Sequence, residues 1–467
     1  MRKQNIHILV ILILLACLAG GCEKQPDDEQ FRPEYVFDIN ALPTITLTID
    51  VVDWNKYLHN LDENRNTRKY VPICFTFEKG DAVFVRENVG MRPRGNYSRM
   101  RPEGETGQLH DPISPQWHPA HFGIKFTEYE DGHRFFGCDR LILKSFMRDK
   151  MYCRDIYCYD LLRRFGVWVA PRASYCRLFI KIRGEEKAAY FGIYEMIEGV
   201  RKEYLESRYK RNFYSDTSGN LWKANPTIEG TYLDNADNIE YLGIDDEYNS
   251  YPYSLRTNKN DFPKAAAELM SFVSQLKQLK NGSNELKDWL CNNVDVDQFL
   301  RYLAVNVVVG SWDDYWYNGS NYYFYFDSKG KFHLIPYDYE FTLGMCWEID
   351  AGNRDVLNWG RDKKPLLVDK IFSIDDFLQL YKSYVLTLAQ GDNYFAFAAS
   401  QERICSWQKM IVPYLANDIE SDEFQVDALS DETLPGGYDY KLLSANQHDN
   451  FFIVKMQSVE QQLSATR

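Results

Sequence analysis

Three oxygen-bearing side chains stand close together in residues 310–344, GSWDDYWYNGSNYYFYFDSKGKFHLIPYDYEFTLG: Asp313, Asn321 and Asp338. Carboxylate and amide oxygens are the hard ligands that Mg²⁺ or Mn²⁺ prefers. A nucleotide triphosphate, with about four negative charges at neutral pH, needs such a cation to bridge its oxygens. The chemistry that fits this set is therefore phosphoryl transfer. One acid would meet the attacking hydroxyl, and an amide and a second acid would hold metal. Asp314 competes with Asp313 for the first role, Asn318 competes with Asn321 for the second, and Glu340 follows Asp338 as a supporting acid.

Particular elements must position these groups. Asp295-Val-Asp-Gln298 reads as an Asx cap with Gln at the third helical position. Phe299, Leu300, Leu303, Ala304, Val307 and Val308 then recur at helical spacing, and Gly310 stops the helix. The loop SWDDYWYNGS leads into NYYFYF, a tyrosine-rich strand, and DSKGK turns it back into FHLIPYDYEF. The order is helix, acidic loop, hairpin, acid. Protein kinases use this order in their catalytic segment.

The chain resembles the CotH family of kinase-like spore-coat proteins. The resemblance is carried by LPTITLTIDVVDWN, read as a strand and an Asx-Trp turn, by VGMRPRGNYSR, by FGIKF and by CDRLILKSFMRDKMYCRDIYCYDLLRRFG. It continues through YFGIYEMIEGVRKEYL, GNLWK and the segment 310–344. It implies an α+β fold of atypical kinase type, two-lobed, with a mixed β-sheet N-lobe and a mostly helical C-lobe. It also implies ATP with Mg²⁺ or Mn²⁺ as cofactors and a protein Ser/Thr as phosphoacceptor. In that frame Asp313 is catalytic and Asn321 and Asp338 hold metal. Arg94, Asn96, Lys125, Lys144 and Glu198 contact or orient the nucleotide, and Arg154 and Lys223 are further cations in reach. Two departures stand out. Seven residues separate Asp313 from Asn321, more than the family usually has. The basic strand reads HPAHFGIKF, keeping Lys125 alone of the family's lysines.

The N-terminus carries an address. Met1-Arg-Lys is followed by the apolar run IHILVILILLACLAG and then Cys22, which reads as a signal peptide ending in a lipoprotein box. Lipidation of Cys22 anchors the chain. The acidic EKQPDDEQ behind it is similar to the export signal of Bacteroidota surface lipoproteins, so the expected location is the outer membrane, with an outward face in view. The organisation expected is signal peptide 1–21, acidic tether 22–34, a nucleotide-holding region 35–205, and a second region 206–467 containing the catalytic segment 295–344. Residues Arg99–Ala120 read as a long loop beside the Arg94–Asn96 turn, a candidate lid.

Composition sets limits. The formal charge is −13, and loss of Arg2 and Lys3 with the signal makes it −15. That argues against nucleic acid, whose binders are usually basic. Membrane contact is expected through the lipid alone. Beyond Cys17 and Cys22, eight cysteines remain without zinc-type spacing, and free buried thiols and disulfides both stay open. Because little ATP is found outside the inner membrane, the alternative function is a non-catalytic surface lipoprotein that binds glycan or protein. A structural cation site is a third reading.

Overall fold

The computed structural model describes residues 33–95, 99–103, 120–209, 217–246, 248–346, 348–361, 364–415, 438 and 440–464. Cys22 and Asn96 lie outside the described residues, as does most of the expected lid.

Among the described residues the fold is α+β. Strands β1 (Thr44–Ile49), β2 (Val71–Lys79), β3 (Ala82–Arg94), β4 (His121–Lys125), β5 (Arg140–Ser145), β6 (Ala173–Ile182) and β7 (Ala189–Glu198) form a closed barrel, ordered β1-β2-β3-β4-β5-β7-β6. β6 closes it by running parallel to β1, with Thr44 opposite Arg177. The other neighbours are antiparallel. The expected mixed sheet is thus present but closed on itself, which removes its edges.

Period-two alternation divides each strand between two cores. On β5, Leu141 and Leu143 point into the barrel, where they meet Phe75, Phe77, Phe122 and Phe126. Ile142 and Lys144 therefore point outward. On β7, Tyr194 and Met196 serve the interior, while Ile193 and Ile197 join a second and larger core. The segment after β1 was expected to be a turn. It is a helix, α1 (Val51–Glu63), because Trp54, Tyr57, Leu58 and Leu61 recur at helical spacing and are buried.

Helix α2 (Arg154–Arg164) packs on β6 outside the barrel. The Asp149 carboxylate accepts the amides of Met151, Cys153 and Arg154 at 2.7–3.1 Å, holding that stretch as a turn. Helix α3 (Lys202–Tyr209) follows the barrel.

The second core is built on a five-stranded sheet and helices. Strands β8 (Asn220–Ala224), β9 (Leu242–Ile244), β10 (Tyr253–Leu255), β11 (Tyr322–Phe326) and β12 (Phe332–Pro336) are ordered β12-β11-β8-β10-β9. The helices are α4 (Phe262–Gln278), α5 (Asn284–Asn293), α6 (Val296–Val308), α7 (Leu366–Phe372), α8 (Asp375–Gln390), α9 (Phe397–Ile411) and α10 (Phe451–Ser464). The stripe expected on α6 is buried as a whole, and Asp295, its N-cap, meets His333 Nδ1 at 3.2 Å. The hairpin has the expected register, Tyr322 opposite Pro336 and Phe326 opposite Phe332. Many tyrosines lie inside the two cores, Tyr157, Tyr159, Tyr253 and Tyr302 among them. The eight described cysteines are free thiols, and all but Cys291 and Cys405 are buried. No described helix is long and apolar enough to cross a membrane.

Candidate active site

A cleft of about 430 Å³ separates the barrel's outer face from the second sheet. β3 supplies Arg92 and Arg94, β4 His121, β5 Ile142 and Lys144, and β7 Ile197. Facing them are Asp313, Asn318, Ser320 and Asn321 from the loop after α6, Lys223 and Tyr323 from β8 and β11, and Tyr337, Asp338 and Glu340 from the segment after β12. Asn321 just precedes β11 and Asp338 follows β12, so the hairpin brings them to the same end. Both have left-handed backbones, with φ of 52° and 63°. Such backbones are uncommon outside glycine and concentrate at functional positions.

Lys144 is the centre of the site. Its Nζ lies 2.6 Å from Asp155 Oδ2, 2.7 Å from Asp338 Oδ1 and 3.5 Å from Glu340. Burial alone would favour the neutral amine. Asp155, Asp338, Glu340 and Glu195 outweigh burial and hold Lys144 protonated, with its pKa well above the usual lysine range. Burial likewise pushes carboxylates up, but Lys144 and Arg94 pull Asp338 below its ordinary value. Glu340 has less compensation, and burial raises it to about 7. Burial and the neighbouring Lys144 depress His121 to about 3, so its imidazole is neutral, with Nε2 3.1 Å from Ser145 Oγ.

Asp155, in the first turn of α2, ties these pieces together. One of its oxygens meets Lys144, and the other accepts the Tyr339 amide at 2.6 Å. The Asp338 amide donates to Tyr159 Oη at 3.0 Å, and Arg154 Nε donates to the Thr342 carbonyl at 3.1 Å. Arg154 also pairs with Asp149 and is buried, so it braces this segment and does not reach the cleft. The sequence reading missed Asp155. The available signal was an acid at the start of a helix that directly follows a lysine-bearing strand.

The two acids of the SWDD loop have separate surroundings. Asp313 lines the cleft and accepts from Asn318 Nδ2 (2.7 Å), Ser320 Oγ (2.5 Å) and Asn321 Nδ2 (2.8 Å). Asp314 is buried away from it, accepting from Asn306 Nδ2 and the amides of Trp316 and Tyr317, and burial raises its pKa to about 7. Asn306 also accepts from Tyr339 Oη at 2.8 Å, so α6 fixes both acidic segments at once.

Two assigned nucleotide contacts fall elsewhere. Glu198 points away from the cleft, as alternation from Ile197 requires. It is buried between Arg172 (3.1 Å) and Arg208. Arg172 also reaches Glu34, which docks the start of the described chain. Lys125 lies two residues beyond Gly123 on β4 and is not among the cleft residues. It pairs with Glu128 at 2.7 Å beside the Tyr70 ring. The lysine that faces the acids comes from the next strand, as Lys144. Arg94 does line the cleft, donating to Tyr337 Oη.

A family model described as CotH kinase protein matches residues 91–433, nearly three quarters of the sequence. The chain belongs to the CotH family. It is similar to Invasin CotH3 of Rhizopus delemar, 21% identical over 68% of this chain and 47% of that one. Spore coat protein homolog 1 of the same fungus is 23% identical over 74% of this chain and 49% of that protein. Inner spore coat protein H of Bacillus subtilis is 24% identical over 63% of this chain and 75% of its own length. The chain thus spans about half the length of the fungal relatives. The matched range contains Lys144, Asp155, Asp313, Asn321 and Asp338.

Proposed function

We propose that this chain is a CotH-type kinase, transferring the terminal phosphate of ATP to a protein serine or threonine at the cell envelope. The observation that carries the reading is Lys144 held between Asp155 and Asp338, opposite Asp313 and Asn321 across one cleft. In this reading the barrel serves as one kinase-like lobe and the second sheet with its helices as the other. Kinases pair a strand lysine with a helix acid and set both against a metal-binding Asp that follows a hairpin.

The residues fit a divalent cation. Asp338 and Asn321 offer hard oxygens, and Mg²⁺ commonly takes one or two protein ligands and completes its shell with phosphate oxygens and water. Among the described residues no group of three or more His, Cys, Asp or Glu is arranged to hold a cation by itself. When bound, the metal neutralises phosphate charge. The chain's own groups do the rest. Lys144 and Arg94 offer N–H donors to phosphate oxygens. Asp313, fixed by three hydrogen bonds, orients the acceptor hydroxyl. The acceptor oxygen bonds to phosphorus as the bond to the leaving oxygen breaks. The leaving oxygen keeps the electron pair, and Asp313 takes the hydroxyl proton.

The envelope location rests on the signal-like N-terminus and Cys22, read as an outer-membrane lipoprotein of Bacteroidota type with a possible outward face. The spore-coat and invasin names of the relatives agree with a surface site. The test is transfer of labelled terminal phosphate from MgATP to envelope proteins, with label on Ser or Thr. Transfer by the wild type and not by Asp313→Asn supports the proposal. MgATP binding without transfer favours a non-catalytic binding lipoprotein.

A further inference from the structure

The cleft has two ends of different character. The acids, Asp338, Asp313 and Glu340, gather at the end where β11 and β12 open. The other end lies beside the exit of β7, and cations dominate it. Arg68, Arg92, Arg201, Lys223 and Arg256 all line it. Among the described residues one carboxylate, Asp245, answers them. It lies 2.5 Å from Arg68 and 3.7 Å from Arg201, and it pairs with Arg256.

Sheet register explains the gathering. Lys223 stands opposite Tyr323 on one side and Ser254 on the other, so all three share a face. Arg256 follows Ser254 by two and joins that face. Asp245, next after β9, lies beside it because β9 and β10 run parallel. From the barrel, Gly123 stands opposite Arg92 on β4. Gly123 thus lies directly against the Arg92 side chain, where a Cβ would meet it at 3.5–3.8 Å.

These cations are not satisfied from within. Arg92 is 7% exposed and has no carboxylate partner among the described residues. It has only the Pro93 carbonyl and Tyr70. Arg256 is 8% exposed with its Nε unpaired. Lys223 has a ring beside it, Tyr323 at 5.9 Å, and no carboxylate partner among the described residues. Burying like charges without counter-charge is costly. A cluster kept in that state inside a cleft is a preorganised anion site. Burial and the adjacent cations lower Lys223 to about 8.

We propose that this end of the cleft is a separate phosphate subsite, which accepts an anionic phosphoryl group in addition to the one held at the reacting end. This rests on the phosphotransfer reading of the cleft. A linear oligophosphate would supply that chemistry, and so would a nucleotide with phosphate on its sugar. A neutral base would leave five cations facing one acid. ATP serves as donor at the acidic end and leaves this subsite open to a second phosphoryl group.

The subsite needs no metal, unlike the acidic end, and that separates the two tests. The probe is inorganic pyrophosphate in chelator-treated buffer at physiological salt. The full chain and Asp338→Ala should both melt about 1–3 °C higher with it. Lys223→Met should weaken pyrophosphate at least about tenfold, and Lys223→Arg, which keeps the charge, should retain it. Tetraphosphate binding tighter than tripolyphosphate identifies an oligophosphate as the source of the second phosphoryl group. Adenosine 3′,5′-bisphosphate binding tighter than AMP identifies a sugar phosphate. No metal-free shift, or a shift undiminished in Lys223→Met, overturns the subsite. A MgATP shift absent from every form, with the pyrophosphate shift intact, overturns the kinase reading and leaves the subsite standing.

Discussion

Two buried charge clusters arise on neighbouring strands of the barrel, and they differ in what they leave unsatisfied. Glu198 ends β7 between Arg172 and Arg208, with Glu34 beyond, and opposite charges meet at close range away from the cleft. Lys144 ends β5 facing Asp155, Asp338 and Glu340, with Glu195 directly across the strand pair. There one cation holds several acids, and the excess negative charge opens onto the cleft. A matched cluster braces a fold. An unmatched one, next to a cavity, is arranged for something that brings the missing charge. Metal with a polyphosphate would do so at the Lys144 cluster.

Lys144→Met should break this comparison most forcefully. It leaves Asp155 buried and Asp338 half-buried without their cation, which costs about 3 kcal/mol in denaturant melts and removes MgATP binding. Glu198→Gln should sharpen it. Stability should fall by about 2–4 kcal/mol through the stranded guanidinium groups, while MgATP affinity by titration calorimetry stays at wild type. Asp313→Asn should lower turnover about 10²–10⁴-fold with nucleotide affinity retained, measured as initial transfer rates beside calorimetry.

The smallest effect is in pH dependence. Glu340 has a folded pKa of about 7, above its ordinary 4.5. The stability it contributes is therefore full below about 4.5 and is lost as pH rises through about 7. Asp338 is depressed and acts in the opposite sense, contributing above its ordinary value and losing stability as pH falls through its lowered one. Glu340→Gln should flatten the slope between pH 4.5 and 7 in melts without ligand, and leave the acid limb intact.

The sequence was most legible where local pattern decides structure. The α6 stripe, the β11–β12 register and the order Asp313, Asn321, Asp338 are short-range, and periodicity with turn chemistry reveals them. Choosing between Asp313 and Asp314 was not possible from spacing, because adjacent residues differ only in which way the loop turns them. Asp314 turns inward to cap Trp316 and Tyr317, and that leaves Asp313 facing the cleft. Lys125 and Glu198 misled for a related reason. A basic strand residue and an acidic one were recognised, but their direction depends on barrel closure and strand parity. Asp155 was missed because its role comes from contacts with strands before and after α2. The cation-rich end was hidden by its dispersal over residues 68–256, which only pairing between β8 and β10 and closure of the barrel bring together.

The measurement that bears most directly on the central claim is thermal melting of the full chain with and without ATP, in Mg²⁺ or Mn²⁺, beside Asp338→Ala. The account predicts an upward shift that requires ATP and metal together and vanishes in Asp338→Ala. A shift with metal alone, or none with MgATP, would contradict it.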